Sequence, residues 1–418
     1  MRTMPIHLIR VTGILVVVLC AAASSAASYA HPVRTSSAPP WTAAGDRIVL
    51  REFSAAAGRL SESGFTVGKI VRTKDSGQVF GFDVDLGGDD GLLASSQTVQ
   101  GGNVKSSVET FSQSTGTITK IIARTNTMDD FVALGIFAGD VGLIEHEHLI
   151  APFQVRRSFH ILNPVSGQAF TGSWTPPNRS NLIIEQVAHN QSTSQAAVFG
   201  ITKTNDSPLL FASNVAANTF GPVFRIDANL FSLNEQPQLA EDVATGQAVF
   251  GTSPDSGRPG GDVPVIEMID LTTGKRTGFP GVTIPPFNSG FINGIAVDST
   301  TGIACTTTEL DASVEFYVLA TGAGTAVVLP GSNGNQGNTG EGVAVDPIHH
   351  LFFVIQPNGT VGPQGGSVVD IFDEHGGLRK SITGFVAFSV TPELEVNPNT
   401  RVGFVSGPTP DAITEFRY

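Results

Sequence analysis

The sequence predicts an all-β fold, most simply a β-propeller of seven four-stranded blades, with six blades as the alternative. Three observations carry this expectation. The 418 residues include 47 Gly and 25 Pro, while only 15% are charged. That density of turn formers suits many short strands and disfavours long helices. A hairpin anchored by Asp or Asn recurs about every 52 residues, a period that belongs to repeat architectures. Each period holds alternating strands and no amphipathic helix, which is the pattern of a propeller blade. Apolar residues make up 40% and mean hydropathy is +0.11, so the chain can bury a large core.

The N-terminus reads as an export signal. Arg2 and Arg10 form a basic head, Ile14 to Ala23 is apolar, and Ser28-Tyr29-Ala30 precedes a cleavage point at His31. Residues 1–30 are therefore expected to be a signal peptide, 31–45 a linker, and 46–418 the propeller domain. Ten apolar residues fall short of the roughly 20 that span a bilayer. The expectation is a secreted protein, extracellular or periplasmic, with no membrane span. Its partner would be an extracellular small molecule, glycan or protein. The net charge of −13 repels phosphate backbones, so no nucleic-acid partner is expected, and it favours cations, Ca2+ among them. Only Cys305 would survive signal removal, in the apolar stretch Gly-Ile-Ala-Cys-Thr-Thr, so it reads as a core residue rather than a catalytic thiol.

The hairpin anchors are Asp85, Asp140, Asn190, Asp242, Asp298, Asp346 and Asn397. Each is read as a turn former whose side chain accepts the backbone N–H two residues on. Alternating strands ending in a Gly turn follow, as in Val265–Gly274 and Val314–Gly322. The last copy supplies three strands, at 394–397, 401–406 and 412–418. A fourth must then come from the N-terminal side, because an open ring exposes edge strands. Thr66-Val-Gly-Lys-Ile-Val-Arg-Thr73 resembles the outer strand Thr117–Thr125 and is suited to closing the ring, although Ile48–Gly58 also reads as a strand with its turn.

The Ala-Val-Asp hairpins and Thr-Gly turns resemble the NHL and YVTN classes of propeller repeat over residues 46–418. These classes include both enzymes and binding modules, so the resemblance implies a fold and no activity.

The innermost strand of each blade begins five residues before its anchor, at Phe80, Gly135, Glu185, Pro237, Asn293, Glu341 and Pro392. Glu185, Asn293 and Glu341 carry oxygen donors of the kind that bind Ca2+ or another divalent cation. Glu341-Gly-Val-Ala-Val-Asp and Asn293-Gly-Ile-Ala-Val-Asp are similar to motifs of the regucalcin/gluconolactonase family. That similarity implies that Glu341 and Asn293 are metal ligands at a channel mouth. Its catalytic Asp has no matching Asp-Gly copy in this chain, and that family has six blades. No catalytic residue is assigned, and whether the chain is an enzyme is left open. The leading reading is a binding or scaffold protein with a ligand site on the channel-mouth face. A divalent-metal-dependent hydrolase or lyase of the gluconolactonase type is the alternative.

The glycine-rich stretches 331–340, 357–366 and 253–262 are expected to form the rim around that mouth. Glu145-His-Glu-His148 could hold a metal with His160 or His189, but reads more simply as a solvated loop. His349-His350 reads as surface.

Overall fold

A computed structural model describes residues 65–418 apart from 75–76, 99–103, 126–128, 138, 152–153, 167, 178–181, 190–193, 203–207, 226–237, 243, 253–264, 276–291, 309–312, 331–341, 357–366, 386–392 and 407–410. Seven antiparallel sheets form the seven blades of a propeller. In chain order, blades one to seven span 78–125, 129–174, 182–225, 238–270, 292–328, 342–382 and 394–417. Neighbouring innermost strands touch in that order, and the strand Leu394–Asn397 meets Gln78–Val84 to complete the ring. Blade three adds a fifth short strand, Phe224–Arg225, and blade four has three strands among the described residues.

The ring closes as the sequence predicts. Thr66–Arg72 pairs antiparallel with Ala412–Arg417 as the outer strand of blade seven, with Val71 opposite Ile413. Val71 and Ile413 are both fully buried. The proposed signal, the linker and Ile48–Gly58 lie outside the described residues.

The core is not one mass but seven apolar clusters, one between each pair of adjacent blades. Between blades six and seven, for example, the Phe353 ring lies 4.5 Å from that of Tyr418 and 5.9 Å from that of Phe416. Each such buried aromatic contributes roughly 1.5–3 kcal/mol, so radial packing rather than any single sheet holds the ring together. Cys305 is buried in the cluster between blades five and six, as expected of a core residue.

The anchors behave as turn formers. Asp85, Asp242, Asp298, Asp346 and Asn397 each accept the backbone N–H of the residue two positions on, at 2.9–3.2 Å. Asp140 does not share this geometry. Its hairpin is shorter, and Gly139 and Asp140 take φ of 79° and 58°, so the Asp side chain is not at the first turn position. Asn190 lies outside the described residues.

Three anchors also reach the next blade. Asp298 Oδ2 pairs with His350 Nδ1 at 2.7 Å, Asp346 Oδ2 accepts from Tyr418 Oη at 3.1 Å, and Asn397 Nδ2 donates to Asp85 O at 2.8 Å. One side chain thus closes its own turn and latches a neighbouring sheet. The residue four positions past the anchor needs a left-handed backbone, met by glycine at Gly246 and Gly302 and by ordinary residues at His350 (φ 54°) and Arg401 (φ 56°). A non-glycine residue there costs on the order of 1 kcal/mol. Both side chains are used between or within blades: His350 on Asp298, Arg401 over the Tyr418 ring.

A carboxylate recurs at one buried position of the third strand, as Glu109, Glu267, Glu315, Asp370 and Glu415. Neighbouring donors serve several of them. Glu109 accepts from Lys74 N and Ser107 Oγ, Glu315 from Thr306 Oγ1 and Ser313 Oγ, and Asp370 from Gln356 Nε2 and Ser381 Oγ. Burial pushes the Asp370 carboxyl up to about 7 against the opposing Ser381 hydrogen bond. No helix among the described residues is long and apolar enough to cross a membrane.

Candidate functional site

The innermost strands share a local irregularity near their start. Pairing with the second strand slips between Val79 and Phe82, between Ala133 and Gly135, between Ile184 and Gln186, and between Ile292 and Gly294. Each slip is a bulge that leaves one or more residues without a partner and re-aims side chains. Phe80, Glu185 and Asn293 sit in these bulges, and Gly135 borders one. In blades one, two, three and five, the positions counted back from the anchors thus fall in or beside these bulges. Asn293 is half-buried. Glu185 is placed by its backbone in the strand Leu182–His189, and Glu341 lies outside the described residues. The three proposed ligands thus belong to innermost strands or the residue before one. Asn293 alone has a described side chain.

A second group lies deeper along the same strands, toward the anchors. Asp83, His189, Glu241 and Glu395 stand one or two residues before anchors 85, 190, 242 and 397. Asp83 is almost completely buried. Its Oδ1 accepts from Val84 N at 2.7 Å, and its Oδ2 accepts from Ile136 N at 2.5 Å and pairs with His189 Nε2 at 2.7 Å. Asp83 belongs to blade one, Ile136 to blade two and His189 to blade three, so one carboxylate joins three blades.

The bridge depends on a missing side chain. Gly135 has φ 148°, and a Cβ built there would lie 3.1 Å from Cγ and Nδ1 of His189. The imidazole therefore crosses blade two over bare backbone, and its ring packs 5.5 Å from that of Phe137.

The electrostatics follow from this enclosure. Burial pushes the His189 imidazolium down, but Asp83 outweighs it through charge and hydrogen bond. With help from Glu395 and Glu241, it is held up at about 9. Glu241 is raised to about 7 by burial, with His189 opposing and Asp242 adding. Burial and the Asp83 charge push Glu395 well above the ordinary carboxylate range. Glu241 Oε2 is shut off from solvent and takes no hydrogen bond. Glu393, beside the last strand, accepts from Phe82 N at 3.2 Å. The inner strands therefore gather four carboxyl groups, two of them raised by burial, beside one imidazolium, and an entering cationic group would favour their ionised form.

These deeper residues escape a count that looks only at strand starts. A readable signal was available, because blades five and six fill the same two positions with Ala296-Val297 and Ala344-Val345. Charged residues in place of Ala and Val mark a channel that is not uniformly packed.

Glu145-His-Glu-His148 is not a loop. It lies inside the strand Val141–Ala151, paired on both edges. Glu145 is fully buried and, with Glu147, meets Arg157, at 3.3 and 2.6 Å. The His146 ring lies 4.7 Å from that of Phe131 and 5.8 Å from that of His160. His349 and His350 diverge as expected, to Asp346 and Asp298.

No family model matches the chain, and no curated protein matches it. Among solved structures it is similar to that of U3-55K (TM-score 0.56, 12% identity, covering 85% of this chain and 99% of that one). It is also similar to the RRP9 WD40 repeats (0.53, 11%, 85% and 98%) and to the β-propeller domain of Cps50 (Swd1) of Myceliophteria thermophila (0.50, 10%, 85% and 99%). At these identities the likeness establishes the propeller fold. The neighbours are WD40 propellers, and the expected NHL, YVTN and gluconolactonase similarities do not emerge. The expectation of a secreted protein is corrected here: it finds no support in the matching propellers of U3-55K, RRP9 and Swd1.

Proposed function

We propose that the protein is a binding or scaffold propeller whose channel takes a cationic group of its partner, entering at the mouth where the innermost strands begin. The observation that carries this reading is the Asp83, Glu241 and Glu395 group around His189, with one buried Glu241 oxygen lacking a donor. A lysine or arginine side chain would supply that donor and replace the proton that burial retains on Glu241. The acidic balance of the chain, with pI near 5.1, favours such a partner at long range.

Binding of a labelled short lysine-rich peptide, followed by fluorescence anisotropy, tests the reading. Glu241→Gln combined with Glu395→Gln is expected to weaken binding about tenfold or more, equivalent to ~1.4 kcal/mol. Equal binding by wild type and double variant would remove the channel from the account.

A second reading keeps a divalent cation such as Ca2+ at the mouth, held by Glu185, Asn293 and Glu341 and supporting hydrolase or lyase chemistry. The bulges at Glu185 and Asn293 favour it. Its test is Ca2+-dependent melting and lactone turnover by wild type and Glu341→Ala; a chelator-insensitive protein with unchanged behaviour on substitution would end it.

A further inference from the structure

On the opposite end of the strands, between blades five and six, lies a cluster that the channel reading does not use. Asp298 closes the innermost strand Ile292–Asp298, His350 sits in the hairpin before Leu351–Gln356, and Glu374 in the turn after Val368–Asp373. Asn293 and Asp298 are five residues apart on one strand, so this cluster is ~17 Å from the channel mouth.

One donor atom from each of Asp298, His350 and Glu374 lies within 4.8 Å of the others. Asp298 is fully buried. Its Oδ1 accepts from Thr300 N at 2.9 Å and Thr300 Oγ1 at 2.6 Å, which fixes the carboxylate and leaves Oδ2 for His350 at 2.7 Å. Glu374 Oε1 stands 3.5 Å from His375 Nε2, whereas its Oε2 is closed to solvent and takes no hydrogen bond. A buried carboxylate oxygen without a donor is costly, and it normally signals a missing partner.

We propose that Asp298, His350 and Glu374 form a divalent transition-metal site, with Zn2+ the best-suited ion, that clips blade five to blade six. One imidazole and two carboxylates match the nitrogen and oxygen preference of Zn2+, and a water completes four ligands. Ligands about 2.0–2.2 Å from zinc stand roughly 3.3 Å apart, so an ion would replace the 2.7 Å Asp298–His350 hydrogen bond, parting that pair slightly while Glu374, within 4.8 Å, turns toward it. The exposed edge of His350, 43% accessible at the side chain, gives the ion its path in. The Thr300 bonds supply the outer support that orients a ligating carboxylate. The left-handed backbone at His350 places its ring against Asp298, where glycine serves the equivalent turns at Gly246 and Gly302.

The test uses full-length protein stripped with EDTA and then titrated with ZnCl2, reading stoichiometry by competition with a chromophoric chelator and stability by thermal melting. One equivalent of Zn2+ is expected to bind and raise Tm by roughly 3–5 °C at about a hundredfold excess over Kd. His350→Gly suits the left-handed backbone and so should fold, yet it is expected to lose both the stoichiometric binding and the Zn2+-dependent rise. Glu374→Gln should weaken binding at least tenfold. Loss of the rise in both variants, with Glu341→Ala behaving as wild type, supports the site. Wild type that binds no zinc, or binding that persists in His350→Gly, overturns it, the latter by placing the ion elsewhere.

Discussion

Replacing Asp83 by Asn should change how stability depends on pH, because Asp83 is what keeps His189 charged inside the ring. The imidazole rises from 6.5 to about 9 on folding, which is worth about 3 kcal/mol. Between those two values the folded chain holds a proton that the unfolded chain has released. The stabilisation is therefore complete below about pH 6.5 and is lost as pH rises through about 9. Asparagine is nearly isosteric and can still accept one backbone N–H, but it brings no charge, so burial then drives His189 neutral. Breaking one side of a buried pair costs roughly 3–5 kcal/mol, and the loss should be greatest at about pH 6 and smallest at about pH 9.5. Urea-denaturation midpoints at these two pH values, together with an NMR titration of the His189 ring, measure the effect. A variant with the wild-type pH slope, or a wild-type His189 that titrates at its ordinary value, would refute the reasoning.

Three further outcomes follow from the same geometry. Asp298→Ala removes the acceptor for Thr300 and His350 and should cost roughly 2–4 kcal/mol by urea denaturation. Asp370 is raised by burial from 3.8 to about 7, so its stabilising contribution is present at low pH and lost as pH rises through 7. Asp370→Asn should accordingly be close to wild type at about pH 3.5 and more stable by about 1–3 kcal/mol above about pH 8. Val71→Asp places a charge in the closing strand, where it should cost roughly 3 kcal/mol or more; small-angle scattering should show an expanded ring.

The blades were legible because their cause is local. An Asp two residues ahead of a free N–H, followed by alternating apolar residues, dictates a hairpin whatever surrounds it, and Asp85, Asp242, Asp298, Asp346 and Asn397 obey. The closing strand was legible because Thr66–Thr73 repeats the chemistry of Thr117–Thr125. Asp140 departs because a Gly ahead of it permits a tighter turn with left-handed residues. Glu145–His148 misled because charged residues read as solvated, whereas Arg157, distant by a strand, neutralises Glu145 and Glu147. The channel cluster was hidden for a related reason. That Asp83 spans blade two to reach His189 depends on the absent side chain of Gly135, a three-body relation that no spacing rule encodes. The recurring carboxylate of the third strand, in contrast, stood in plain sight in Ser107-Val-Glu109 and Ser313-Val-Glu315, a repeat whose meaning emerges once both are seen buried.

The channel reading is tested most directly by a crystal structure of the full chain grown with a short lysine-rich peptide at about pH 8. The expected result is an ammonium group inside the ring, within hydrogen-bond reach of Glu241 or Glu395. A peptide seated on an outer blade edge, with the channel carboxylates bonded only to protein and water, would contradict it.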